Sequence, residues 1–150
     1  MKVIVCYSYS GNSLMIANKI KEKLNIDVIQ IIPKESYTTD YDKLVEDAKE
    51  YSKCNVMPII NSIDISKYNE IILVCPVWWY TYASPVNTFL NNNNFDGKII
   101  YPVITNGGWI GHTLKDIEDK VNIKYPLNLV FNNNVLTNED DLEIWFNNFK

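Results

Sequence analysis

The chain contains no arginine; all 14 of its basic residues are lysine. It has one histidine, three cysteines and five glycines in 150 residues. Each shortage excludes a chemistry. Without arginine there is no bidentate guanidinium clamp for a transferring phosphoryl group. Cys6, Cys54 and Cys75 are odd in number and lack C-x-x-C spacing. They read as free thiols, not as a disulfide framework or a metal site. Cys6 and Cys75 lie in apolar runs and are expected to be buried, whereas Cys54, near a helix end, is expected to be exposed. The glycines form no G-x-G-x-x-G pattern and no Gly-Lys-Ser/Thr triplet, which removes the dinucleotide and Walker-type phosphate loops. A basic face is also missing. The net charge is −4 and the sequence pI is about 4.9, so nucleic acid is not an expected partner. No apolar run approaches a membrane span, and the apolar N-terminal stretch is only one strand long. The expected location is cytoplasmic, with no membrane contact.

What the chain does have is a hydrophobic content of 47%, enough for a full core, and a length that favours one domain over residues 1–150. Residues 2–7 form an apolar, β-branched run that reads as a buried strand, and residues 12–24 carry apolar positions at helical spacing. Further strands are expected at 27–32, at 70–75 ending on Pro76, at 98–105 with a bend at Pro102, and at 127–131. Helices are expected over about 40–51, over about 85–90 with Ser84 as N-cap, over 113–121, and over 139–149. The acidic run Asp42, Glu46, Asp47 and Glu50 reads as a solvated helix face. Strands and helices alternate five times. That pattern predicts an α/β fold, a parallel sheet covered on both faces with right-handed crossovers. Ligands in such sheets bind beyond the carboxyl ends of the strands.

Three distinctive loops follow strands. The first is Ser8, Tyr9, Ser10, Gly11, Asn12 and Ser13, a strand-to-helix turn of hydroxyls, an amide and a glycine. Free N–H groups at a helix N-terminus, the three serine hydroxyls and the Asn12 side chain can hold a phosphate without a cation. An ordinary helix cap needs fewer polar residues than this. A cysteine-phosphatase loop would place a thiolate at Cys6 and an arginine six residues later, where Asn12 stands. A receiver domain would need acids where Cys6-Tyr7 and Cys75-Pro76 stand. The second loop holds Pro76, Val77, Trp78, Trp79, Tyr80 and Tyr82, an aromatic cluster suited to a large flat ring. Spacing does not decide which tryptophan would stack. The third holds Thr105, Asn106, Gly107, Gly108 and Trp109, and can turn backbone N–H groups toward a polar ring edge. Trp109 either covers a second ring face or simply packs. His112, the single histidine, is given no catalytic role.

These loops, over nearly the whole chain, resemble the flavodoxins and flavodoxin-like proteins. The first resembles the family's Ser/Thr-x-Ser/Thr-Gly-Asn-Ser/Thr phosphate loop. Pro76-Val77-Trp78-Trp79 and Thr105-Asn106-Gly107-Gly108 are similar to a short-chain branch. The resemblance implies a three-layer α/β/α sandwich on a five-stranded parallel sheet of order 2-1-3-4-5, the known arrangement of that family. It implies FMN as cofactor, with its phosphate on residues 8–13. The isoalloxazine ring would lie at 76–80 and 105–108, near either Trp78 or Trp79. The expected function is electron transfer, with no catalytic side chain and no metal. The alternative is an NAD(P)H-dependent quinone or flavin reductase on the same fold. Expected partners are a redox protein or a small redox substrate, with the chain a monomer or weak dimer.

Overall fold

A computed structural model of the chain describes residues 1–53 and 55–150. Cys54, expected to be exposed, lies outside them. The elements grow from alternating burial along the strands. In β1 (Lys2–Cys6), Val3 and Val5 join one hydrophobic cluster while Ile4 and Cys6 join another. In β3 (Glu70–Trp78), Ile71, Leu73 and Cys75 face the first cluster, and Ile72 and Val74 the second. A strand buried on both faces needs apolar residues at both parities, and these strands have them. Helices α1 (Asn12–Leu24) and α5 (Glu139–Trp145) supply Ile16, Ala17, Ile20, Leu142 and Trp145 to one face. On the other face α2 (Tyr41–Lys53), α3 (Ser84–Asn92) and α4 (Thr113–Glu118) supply Leu44, Ala48, Val86, Phe89 and Ile117. The result is an α/β/α arrangement.

The sheet corrects the expectation of five strands, all parallel. Among the described residues it has seven, in the order β2-β1-β3-β5-β6-β7, with β4 paired to β3. β2 (Val28–Gln30), β1, β3, β5 (Ile99–Asn106) and β6 (Leu127–Asn132) pair in parallel. β4 (Thr81–Tyr82) and β7 (Val135–Leu136) are antiparallel additions, each closing a hairpin. Two-residue strands carry no periodicity of their own, which is why they do not show in the sequence. The β3–β4 turn is made by Trp79 and Tyr80, both at positive φ (48° and 71°). That is the backbone of a tight hairpin turn, without the Asn-Gly or Asp-Gly pair that would announce one.

Neither expected proline interruption breaks its strand. β3 runs through Pro76 to Trp78. Pro76 shares its side of the strand with Val74, whose carbonyl accepts from Tyr7 N–H of the β1 edge. The β1 ladder ends with that bond, where proline has no N–H to continue it, and the Pro76 carbonyl accepts from Ala83 N–H at 3.2 Å. Pro102 sits between the Ile100–Ile123 bridge and the start of β6 pairing at Val103–Leu127. Its missing donor therefore faces a gap in that ladder. Helix ends also shift. Ala83, not Ser84, is the N-cap of α3, and the last helix gives way to a 3-10 turn at Phe146–Phe149.

Cys6 and Cys75 are free and buried, as the apolar runs imply. Burial disfavours the thiolate and pushes Cys6 up to about 12; Cys75 moves the same way, from burial first and the nearby Cys6 second. At pH 8 both are therefore protonated, and neither is expected to react with a thiol reagent in the native protein. Mass mapping of iodoacetamide-treated protein checks this: the Cys6 and Cys75 peptides should carry label only after denaturation.

Candidate cofactor site

β1 delivers the chain to the turn before α1 at the carboxyl end of the sheet. Gly11 is the N-cap of α1 and adopts φ 98°, a left-handed conformation open to glycine. With no side chain at the cap, the cap bonds come from the loop's own serines. Ser8 Oγ accepts from Gly11 N–H at 3.1 Å, and Ser10 Oγ accepts from Asn12 N–H at 3.4 Å. The first helical ladder bond, Met15 N–H to Gly11 carbonyl, is 3.0 Å. The N–H groups of Ser13 and Leu14 have no acceptor among the described residues. A Cβ at Gly11 would meet nothing within 4 Å. The loop thus presents serine protons and helix N-terminal amides to open space, and no charged side chain hydrogen-bonds to it among the described residues. That donor set suits a phosphate anion.

Ser13 plays a different part from Ser8 and Ser10. Its buried hydroxyl lies 2.7 Å from Thr105 Oγ1, which reaches the Cys75 carbonyl at 3.5 Å. Side chains 92 positions apart thereby join the first loop to the third beneath the surface. Beyond Thr105, Asn106 anchors the glycine turn. Its Nδ2 donates to Asn128 Oδ1 and, at 3.2 Å, to the Leu129 carbonyl, while its Oδ1 accepts from Gly108 N–H at 2.9 Å. Gly107, Gly108 and Trp109 are exposed.

The aromatic loop divides. Pro76 and Val77 are half-buried in β3. Trp78 is only 8% exposed, with the rings of Tyr7, Tyr9 and Tyr37 set nearly edge-on to it at 5.7, 6.5 and 5.1 Å. Trp79 lies against α2: its Nε1 donates to the Val45 carbonyl, and Lys49 Nζ is 5.3 Å from its ring. Tyr80 and Trp109 are the outward aromatics, 46% and 68% exposed with ring centroids 4.8 Å apart. The hairpin tip is pinned to the third loop by His112 N–H, which donates to the Tyr80 carbonyl at 2.7 Å. Gly111 makes that approach possible, since a Cβ there would fall 2.5 Å from Tyr80 Cα.

Several neighbours were not singled out by the sequence. Tyr9 donates its hydroxyl to the Thr38 carbonyl at 2.5 Å, which ties the first loop to the segment after β2. Asn12 Nδ2 donates to Asn134 Oδ1 at 3.3 Å, which brings the β6–β7 turn against the first loop. Asp116 Oδ2 accepts from Thr81 Oγ1 at 2.6 Å and lies 2.5 Å from His112 Nδ1. Burial raises the Tyr7 phenol, with Tyr37 and Tyr9 adding to it, and pushes Tyr37 up to about 12 with Tyr51 contributing. Both phenols therefore stay neutral around Trp78 at physiological pH. A separate cavity of about 390 Å³ opens between the end of α2, β4 and α4, with Tyr82, Asn87 and Asp116 in its wall. None of the sixteen residues expected to bind cofactor lines it.

Comparison with known proteins agrees with this arrangement. A structure of a candidate flavoprotein from Bacteroides eggerthii DSM 20697 superposes with a TM-score of 0.79 at 24% identity, covering 97% of this chain and 95% of that one. Another candidate flavoprotein, from Bacteroides uniformis ATCC 8492, gives 0.80 at 20% identity over 95% and 96%. A Lactobacillus acidophilus NCFM flavoprotein, solved in complex with FMN, gives 0.76 at 20% identity over 96% and 97%. At these identities the likeness speaks for the fold alone. No curated protein sequence matches the chain. The sequence profile described as Flavodoxin matches residues 2–149. With the doubly wound sheet and the loop between β1 and α1 in place, that match over nearly the full length shows that the chain belongs to the flavodoxin family.

Proposed function

We propose that this protein binds FMN and works as an electron carrier. The observation that carries the reading is the turn of residues 8–13, a cation-free array of hydroxyls and amides around a glycine whose missing Cβ leaves open approach. The FMN complex of the Lactobacillus acidophilus structural neighbour supports it. In this reading Ser8, Tyr9, Ser10, Gly11 and Asn12 surround the phosphate, and the α1 amides of Ser13 and Leu14 donate to it. The Ser13–Thr105 bond holds the phosphate loop and the glycine loop at a set distance. Asn106 and Gly107 offer backbone N–H groups to the polar edge of the ring, while the Gly108 N–H closes the turn on Asn106 Oδ1. Tyr80 and Trp109 supply exposed aromatic surface, while Trp78 supports the wall from within and Trp79 braces the hairpin on α2.

When bound, FMN supplies the redox chemistry. The chain's residues position it, shield it and set the surrounding charge. No acidic residue lies between Glu70 and Asp96, nor in the 105–111 turn, so this local sequence carries no carboxylate that would disfavour a reduced, anionic ring. A redox protein or small redox substrate is the proposed partner, and a monomer or weak dimer the proposed state. The purified protein is expected to be yellow, with flavin absorption bands in the visible. Its apo form should bind one FMN per chain. A colourless protein that takes up no added FMN overturns the reading.

The exposed Tyr80–Trp109 surface favours one second reading. A planar substrate could lie there beside the ring, as in an NAD(P)H-dependent quinone or flavin reductase. Rapid NAD(P)H oxidation with a quinone, without a separate reductase, would replace the carrier assignment with this one.

A further inference from the structure

The β6–β7 hairpin lies far in sequence from the phosphate loop, yet its tip reaches it. Asn133 and Asn134 form the turn, both at positive φ (49° and 63°), and Asn132 pairs with Val135 across the hairpin. The hairpin is held from below. Asn138 Oδ1 accepts from Val130 N–H at 2.8 Å, and Thr137 N–H donates to the Val130 carbonyl at 2.8 Å. From this base, Asn134 Oδ1 accepts a hydrogen bond from Asn12 Nδ2 at 3.3 Å, across 122 positions of sequence. Asn12 is the first residue of α1 and one of the loop's polar side chains. Its carboxamide orientation is therefore set from outside the loop. The second Nδ2 proton of Asn12 and both Nδ2 protons of Asn134 have no acceptor among the described residues.

Resting on the FMN reading, we infer that the β6–β7 hairpin forms an outer wall of the phosphate site. Asn134 is a positioning residue. It turns the Asn12 carboxamide so that a free N–H is presented to the anion, and it keeps the wall neutral. Neutrality matters here because, among the described residues, no lysine side chain in or bonded to the loop offsets a negative charge. A carboxylate at Asn134 would still accept from Asn12, yet it would stand beside a dianion. The hairpin thus contributes to the preference for phosphorylated over unphosphorylated flavin.

The test compares FMN with riboflavin, titrated separately into the apo forms of wild type, Asn134→Gly and Asn134→Asp. Glycine removes the side chain and suits the positive φ, so the turn is retained. Aspartate is also tolerated at such a φ. Far-UV circular dichroism checks that each variant is folded. Asn134→Gly should weaken FMN binding about fivefold, the loss of one oriented hydrogen bond, and leave riboflavin unchanged. Asn134→Asp should weaken FMN by tenfold or more. That loss should be greatest above about pH 6, where the flavin phosphate carries its second charge. An FMN-to-riboflavin ratio unchanged in both variants, with wild type preferring FMN, overturns the hairpin's role alone. A wild type that binds neither flavin, or both equally, overturns the phosphate assignment and this inference with it.

Discussion

Replacing Gly11 with valine is expected to abolish FMN retention while the apo protein still folds. Gly11 adopts φ 98°, which a β-branched residue enters only with strain of about 2 kcal/mol. For a chain of this length, that corresponds to a fall in Tm of roughly 4–8 °C. The new side chain would not collide with the protein, because a Cβ there meets nothing within 4 Å. It would instead project into the space through which the phosphate approaches. Strain at the N-cap would also disturb the Gly11 and Asn12 amides, now held by Ser8 and Ser10. Losing two or more charge-assisted hydrogen bonds should raise the Kd for FMN more than about a hundredfold. Riboflavin, which has no phosphate, should bind as before. Fluorescence titration of both flavins, with thermal unfolding of the apo protein, measures each effect. Undiminished FMN binding in this variant would place the phosphate elsewhere.

The second large effect lies at the other end of the site. Gly111→Ala is expected to destabilise the protein by about 3 kcal/mol and to weaken FMN and riboflavin alike. The alanine Cβ would stand 2.5 Å from both the Cα and the carbonyl oxygen of Tyr80, and those are backbone atoms that cannot rotate aside. The φ of 57° at Gly111 adds its own strain. Relief requires the Trp79–Tyr80 turn to retreat from the third loop, which breaks the 2.7 Å bond from His112 N–H to the Tyr80 carbonyl. Tyr80 and Trp109 would then part, and the aromatic surface they form would be lost. Gly107→Ala is the control. Nothing lies within 4 Å of its Cβ and its φ is not positive, so stability should change by less than about 0.5 kcal/mol. Urea unfolding of the three proteins makes the comparison. Equal stability of Gly111→Ala and wild type would show that the hairpin and the loop are not in contact in solution.

These two glycines show how unevenly the site can be read from sequence. Gly11 announces itself, because it sits in a polar turn between an apolar strand and an amphipathic helix, all within local reach. Gly111 does not. It reads as one more glycine in the glycine-rich loop of residues 106–112, and its constraint comes from Tyr80, thirty-one positions earlier. Trp78 and Tyr80 make the same contrast among the aromatics. Both belong to one conspicuous cluster. Only the two-residue turn at Trp79 and Tyr80 sends Trp78 inward among three tyrosines and leaves Tyr80 facing out. That hairpin also explains why β3 outruns Pro76. The missing N–H lies beyond the end of β1, a fact of register that no local pattern records.

What the sequence determines by itself is therefore the alternation of strands and helices, the buried faces, and the chemical character of each loop. Those properties follow from residue-by-residue hydrophobicity and from glycine, proline and hydroxyl chemistry, which act over one turn or one strand. Tertiary structure alone decides which loops meet: Ser13 with Thr105, Asn12 with Asn134, Tyr80 with Gly111 and Trp109. It also decides how many strands the sheet has, because β4 and β7 exist only as partners of longer strands. The physical reason is that such contacts are set by packing between distant segments, whose free energy depends on the whole arrangement and not on any short stretch of residues.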